Sequence, residues 1–134
     1  MRDEHPNLSL MRRLWEASAR GDAEALSVGY APDAVLRAYG GPVSPRTGEY
    51  KGIDEILDYL ASAGETVDDL SSEMLEMYTS DGGVVVRYRT LATRGDQHLD
   101  MQYLYIAAIE AGRIVRATLV PMDQRRNDEF WRTQ

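Results

Sequence analysis

The sequence predicts an α+β domain in which helices come first and an antiparallel meander follows. Two observations carry this expectation. In the front half, Leu8, Met11, Leu14 and Trp15 recur at three- and four-residue intervals, the spacing of one helix face. In the back half, apolar-rich runs are separated by Asp81-Gly82-Gly83, Arg94-Gly95-Asp96 and Ala111-Gly112, which read as hairpin turns. The 134 residues, 43% of them apolar, suit one globular domain spanning 1–134, with no linker, repeat or low-complexity segment.

Each element has a local reason. Pro6 and Asn7 open the first helix and Gly21 breaks it. Asp22 stands where an N-cap would start a second helix over 23–29. After an Ala31-Pro32-Asp33 turn, 34–39 reads as a short strand, followed by a loop rich in Gly, Pro and Ser over 40–48. Ile53, Ile56, Leu57 and Leu60 share one side of a third helix that Gly64 ends. Four strands then run over roughly 67–79, 84–93, 97–109 and 113–121.

Composition narrows the function classes. A net charge of −7 argues against nucleic acid and against anionic membrane surfaces as partners. The absence of cysteine excludes a disulfide framework, a thiolate nucleophile and a zinc-thiolate site. The two histidines, His5 and His98, share no face, and no carboxylate cluster encloses a metal position, so neither a metal nor a cofactor is expected. The start, with Arg2, Asp3, Glu4, His5 and Pro6, has no apolar signal core, and no later run is long enough for a bilayer span. A cytoplasmic location is the expectation.

Strand parity assigns side chains to faces. With two-residue turns at Gly95-Asp96 and Ala111-Gly112, Arg89 lies opposite Gln102, Arg87 opposite Leu104, Leu91 opposite Asp100, and Leu104 opposite Leu119. An Asp81-Gly82 turn sets Glu76 against Arg87 and Met74 against Arg89. One face then carries Arg87, Arg89, Asp100, Gln102, Leu104 and Leu119; the other carries Tyr88, Met101, Tyr103 and Tyr105. Neither face is purely polar. Helices should cover one, and a second copy of the chain the other, giving a homodimer through the sheet.

Several segments carry a family likeness: Met11-Arg-Arg-Leu-Trp-Glu-Ala-Ser-Ala-Arg-Gly-Asp22, Tyr30-Ala-Pro-Asp-Ala-Val35, Gly48-Glu-Tyr-Lys-Gly-Ile-Asp-Glu-Ile56, Glu110-Ala-Gly-Arg-Ile114, Asp123 and Asp128-Glu-Phe-Trp131. In this order the chain resembles the cone-shaped α+β barrel shared by ketosteroid isomerase, nuclear transport factor 2 and the SnoaL-like polyketide cyclases. The resemblance implies N-terminal helices packed on a curved antiparallel sheet around a pocket for a small organic molecule. It also implies that the helices cover the Arg87 and Gln102 face while the Tyr103 face makes the dimer. Hydrophobicity alone argues the reverse, with the tyrosines under the helices.

The resemblance also supplies site positions. Ketosteroid isomerase uses an aspartate base with a tyrosine and a protonated aspartic acid. Those positions fall on Ala38, Leu14 and Leu104, all apolar, so that apparatus is absent. The acidic residue associated with the cyclases falls on Leu119, and Asp123, further along with the same parity, replaces it only if the strand end shifts. On the face taken for the pocket, Asp100 is the candidate general base and Arg89 a catalytic partner. Arg87 and Gln102 would hold an anionic or oxygenated ligand, Tyr59 would reach in from the third helix, and Leu14, Trp15, Leu104 and Leu119 would line the space. The structural alternative is a Glu76–Arg87 cross-strand ion pair and a solvated Asp100.

Two classes stay open. One is a metal-free acid–base enzyme (cyclase, isomerase, dehydratase or epoxide hydrolase) acting on an oxygenated hydrophobic metabolite such as a polyketide. The other is a non-catalytic ligand-binding or dimerisation module of the same fold.

Overall fold

The computed structural model describes residues 4–41 and 44–132. Helix α1 (Pro6–Arg20) starts where the His5 Nδ1 accepts the Asn7 N–H at 3.1 Å and Pro6 occupies the first turn. It ends at Gly21, whose φ of 69° is a left-handed cap. Its buried stripe is Leu10, Met11, Leu14 and Ala17. Helix α2 (Ala23–Ser27) is capped by Asp22, which accepts the Ala25 N–H at 3.0 Å. Helix α3 (Ile53–Glu65) buries Ile56 and Tyr59.

Six strands form one open, curved sheet in the order β2-β1-β6-β5-β4-β3. Strand β1 (Tyr30–Ala38) already includes Ala31, Pro32 and Asp33, where a turn was expected. Strand β2 (Gly48–Lys51), unforeseen within the loop, pairs antiparallel with β1. The meander β3 (Asp69–Ser80), β4 (Gly83–Arg94), β5 (Gln97–Glu110) and β6 (Arg113–Pro121) follows the expected turns. The sheet is not wholly antiparallel, because β1 runs parallel to β6. A fourth helix, α4 (Gln124–Arg132), was also unforeseen; it buries Asn127, Phe130 and Trp131. Asp123 caps it, accepting the Arg126 N–H at 3.2 Å.

The β4–β5 register is the expected one: Arg89 faces Gln102, Arg87 faces Leu104 and Leu91 faces Asp100. Two irregularities change the flanking strands. Leu75 is an extra residue in β3, so Glu73 and not Met74 lies opposite Arg89. Val115 is an extra residue in β6, so Leu119 lies opposite Tyr105 and not Leu104. Each one-residue slip moves a side chain to the other face. Met74 and Leu119 thereby join the tyrosines.

The covered face is the reverse of the one the resemblance implied. The helices lie over Tyr88, Tyr103 and Tyr105, and the Arg87–Gln102 face looks outward. Along β5 the odd-numbered residues from Leu99 to Ile109 are buried, while Asp100, Gln102 and Ile106 are exposed. Arg87, Arg89, Asp100, Gln102 and Leu104 therefore lie outside the helix-covered interior, and the Tyr103 face is not free to meet a second copy. The physical reason is desolvation. Tyrosine rings bury a large apolar area for one hydroxyl each, and those of Tyr103 and Tyr105 find partners inside, whereas two guanidinium groups would have to be paired in a dry interior.

Candidate ligand-binding cavity

Between the helices and the tyrosine face lies a cavity of about 520 Å³. This is within the usual range of small-molecule sites, about 300–1,000 Å³. Helix α1 presents Met11, Leu14 and Trp15 to it, and α3 presents Tyr59, Leu60 and Ala63. The floor is sheet: Leu36 and Ala38 of β1, Tyr88 and Thr90 of β4, Tyr103 and Tyr105 of β5, Leu119 of β6. Helix α4 closes one side with Asn127 and Trp131, and Ser44, Arg46 and Thr47 form a polar lip.

The wall is an aromatic array. Trp15 meets the Tyr88 ring edge-on with centroids 5.1 Å apart, and Tyr88 stacks on Tyr103 at 5.3 Å. The hydroxyls of Tyr30 and Tyr105 lie 2.6 Å apart. One hydroxyl proton is used in that bond, so the pair keeps a single O–H to offer to the cavity. Tyr103 donates to Asn127 Oδ1 at 2.5 Å and accepts from Trp131 Nε1 at 3.3 Å, which ties α4 to the floor. Among the described residues no Asp, Glu or His lines the cavity.

Burial raises the cavity phenols above their ordinary value, Tyr103 to about 12 and Tyr88 and Tyr105 well above 10. Desolvation of the phenolate is the leading cause for each, and it also raises Tyr30 and Tyr59. At neutral pH these groups are hydrogen-bond donors, not bases. Because the folded values are raised, their stabilisation is complete below the unfolded tyrosine value of about 10. It is lost as pH climbs through the folded values, about 12 for Tyr103. We expect the unfolding midpoint to be insensitive to these tyrosines up to about pH 10 and to fall above it, with the cavity tyrosines ionising only as circular dichroism is lost. Ionisation of those rings at full native dichroism would show that the cavity is open to water.

The residues singled out from sequence divide cleanly. Leu14, Trp15, Tyr59 and Leu119 line the cavity. Leu119 arrives there through two offsetting reversals, the swapped face and the Val115 slip. Arg87, Arg89, Asp100, Gln102 and Leu104 lie on the outer face. There Arg89 holds Asp100 through two bonds of 2.8 and 2.7 Å, and Arg87 pairs with Glu76 and donates to Gln102 at 2.8 Å. Arg89 also keeps the Asp100 carboxyl below its ordinary value, far from a base poised near neutrality. Asp123 is exposed at the start of α4. Leu104 does not line the cavity; its neighbour Tyr103 faces inward in its place.

Sequence reasoning missed Arg46 and Asn127. Asn127 was within reach, since Asn127, Phe130 and Trp131 follow the i, i+3, i+4 spacing of a helix face after a capping aspartate. Arg46 sits in a loop without periodicity, so no pattern marks it.

Comparison with known proteins fits this architecture. The SnoaL-like domain family matches residues 11–117. The chain belongs to the SnoaL-like family. An uncharacterized protein of Mycobacterium tuberculosis is 29% identical over 127 residues, covering 93% of this SnoaL-like chain and 95% of its own. Among solved structures, Bal32a from a soil-derived mobile gene cassette superposes with a TM-score of 0.87 at 26% identity, over 94% of this chain and 96% of that one. TerC, co-crystallised with polyporic acid, superposes with a TM-score of 0.83 at 17% identity, over 97% and 100%. At that identity TerC speaks to the fold alone.

Proposed function

We propose that this SnoaL-like protein encloses a small oxygenated metabolite of aromatic or conjugated character, such as a polyketide, and that binding is the cavity's main task. The observation that supports this reading is the wall itself: tyrosine and tryptophan rings with scattered hydroxyls, and no carboxylate or imidazole among the described lining residues. Leu14, Trp15, Tyr59 and Leu119 keep their lining roles in this proposal. Asp100, Arg89 and Asp123 have none in it.

A second reading, a cofactor-independent isomerase or cyclase, is favoured by the Tyr30–Tyr105 pair. Its remaining O–H is suited to a carbonyl oxygen and would steady a developing enolate. One ketone tests both readings. 1-Tetralone is expected to quench the emission of Trp15 and Trp131 saturably. If it fails to do so, along with other bicyclic aromatic ketones, the binding reading is lost. Proton exchange next to its carbonyl in heavy water, followed by nuclear magnetic resonance, addresses catalysis. A rate no faster than buffer sinks the enzymatic reading for this ketone, and a faster rate that Tyr105→Phe lowers supports it.

The homodimer proposal moves to the outer sheet face, where exposed Ile106 lies two residues along β5 from Leu104, which pairs with Val120. Sedimentation is expected to give a dimer that Ile106→Arg turns into a folded monomer. A monomeric wild type removes the proposal.

A further inference from the structure

We infer that Arg46 makes the loop end of the cavity an anion subsite, so the ligand is an aromatic or conjugated acid bound through a carboxylate, enolate or phenolate oxygen. This rests on the binding reading above and names the chemistry of its ligand. Arg46 is the one formally charged residue among the described residues lining the cavity. Its guanidinium lies 4.3 Å from the Tyr59 ring centre and 5.0 Å from that of Trp131, so two rings fix its plane. Nη1 donates to Ser62 Oγ at 2.7 Å and Nη2 to the Tyr59 carbonyl at 3.2 Å. Both acceptors are neutral. A guanidinium carries five N–H donors in a fixed fork, so donors remain for a ligand.

The contrast with the outer face is the main argument. Arg37, Arg87 and Arg89 each have a carboxylate partner, on Glu49, Glu76 and Asp100. Arg46 has no carboxylate within ion-pair distance among the described residues, although it is half-buried against the cavity. A half-desolvated cation without a counter-charge is costly, and an anionic ligand offsets that cost. Gly41, Arg46 and Thr47 are also held in place before any ligand arrives. Tyr50 donates its hydroxyl proton to the Arg46 carbonyl at 2.8 Å, and the Arg46 N–H reaches Ser44 Oγ at 3.3 Å. Asp128 on α4 accepts the Gly41 N–H at 2.8 Å, and the Thr47 hydroxyl donates to the Gly41 carbonyl at 3.0 Å. Such preorganisation lowers the ordering cost of binding.

The test compares 2-naphthoate with 2-naphthylmethanol, the same rings with and without the charge, by isothermal titration of the full chain. The wild type is expected to bind naphthoate about tenfold or more tighter than the alcohol. Arg46→Gln should remove that preference, lowering naphthoate affinity about tenfold towards that of the alcohol, with native circular dichroism showing that the variant is folded. Arg46→Lys, keeping the charge without the fork, should retain part of the preference. Equal binding of both probes by the wild type, or naphthoate binding unchanged in Arg46→Gln, overturns the subsite while leaving the cavity reading intact. Loss of both probes in Arg46→Gln, with Arg46→Lys blind to the charge, overturns it as well. If neither probe binds a cooperatively folded wild type, the binding reading fails and takes the subsite with it.

Discussion

Trp131→Ala is expected to lower the free energy of unfolding by about 3–5 kcal/mol, the range for truncating a large buried aromatic. Trp131 is 4% exposed and packs with Phe130 against Ala92, Leu99, Met101 and Tyr103. Helix α4 has nine residues, too few to hold its shape in water without packing. What anchors it is this pair of rings, the Trp131–Tyr103–Asn127 hydrogen bonds, and Arg94, which donates to the Phe130 carbonyl and lies 4.5 Å from the Phe130 ring centre. Since domains of this size are stable by only about 5–15 kcal/mol, the variant should unfold far earlier in urea. Loss of the α4 wall should also expose the cavity, seen as increased binding of a hydrophobic dye. A urea midpoint equal to that of the wild type would mean that α4 does not seal the cavity.

Ala38→Phe is expected to abolish 1-tetralone binding while costing little stability. Ala38 ends β1 beside Leu119 of β6, and both line the cavity. A phenyl ring there grows into the empty volume a ligand would use. Overpacking in a filled core costs about 1–3 kcal/mol, and the void should keep the cost at the low end of that range. Binding and stability therefore separate, which distinguishes occupancy of the cavity from adhesion to the outer face. Undiminished quenching by 1-tetralone in Ala38→Phe would place the probe elsewhere on the molecule.

Much of the fold was legible because its causes are local. Two-residue turns at Gly95-Asp96 and Asp81-Gly82 fix the pairing of the residues beside them, so Arg89 opposite Gln102 and Glu76 opposite Arg87 follow from counting. Helix α1 could be read from its stripe and from Gly21. Strand β2 is four residues long and α4 nine, short elements whose existence depends on what they pack against. The candidate site was legible in part. Leu14, Trp15 and Tyr59 lie on helix faces that bury against the sheet in either orientation, so they reach the interior whichever side of the sheet is covered.

The sequence by itself determined that one sheet face would carry Arg87, Arg89, Asp100 and Gln102 and the opposite face Tyr88, Tyr103 and Tyr105, because side-chain alternation along a strand is a property of the backbone. Only the tertiary structure decided which face the helices cover. That choice is a competition over the whole sheet between burying rings and desolvating charges, and no single residue reports it. The extra residues Leu75 and Val115, which swing Met74 and Leu119 inward, and the capture of Arg46 between Tyr59 and Trp131 were decided at the same level. Each depends on partners distant in the chain, whose contacts form only when the sheet has bent around the cavity.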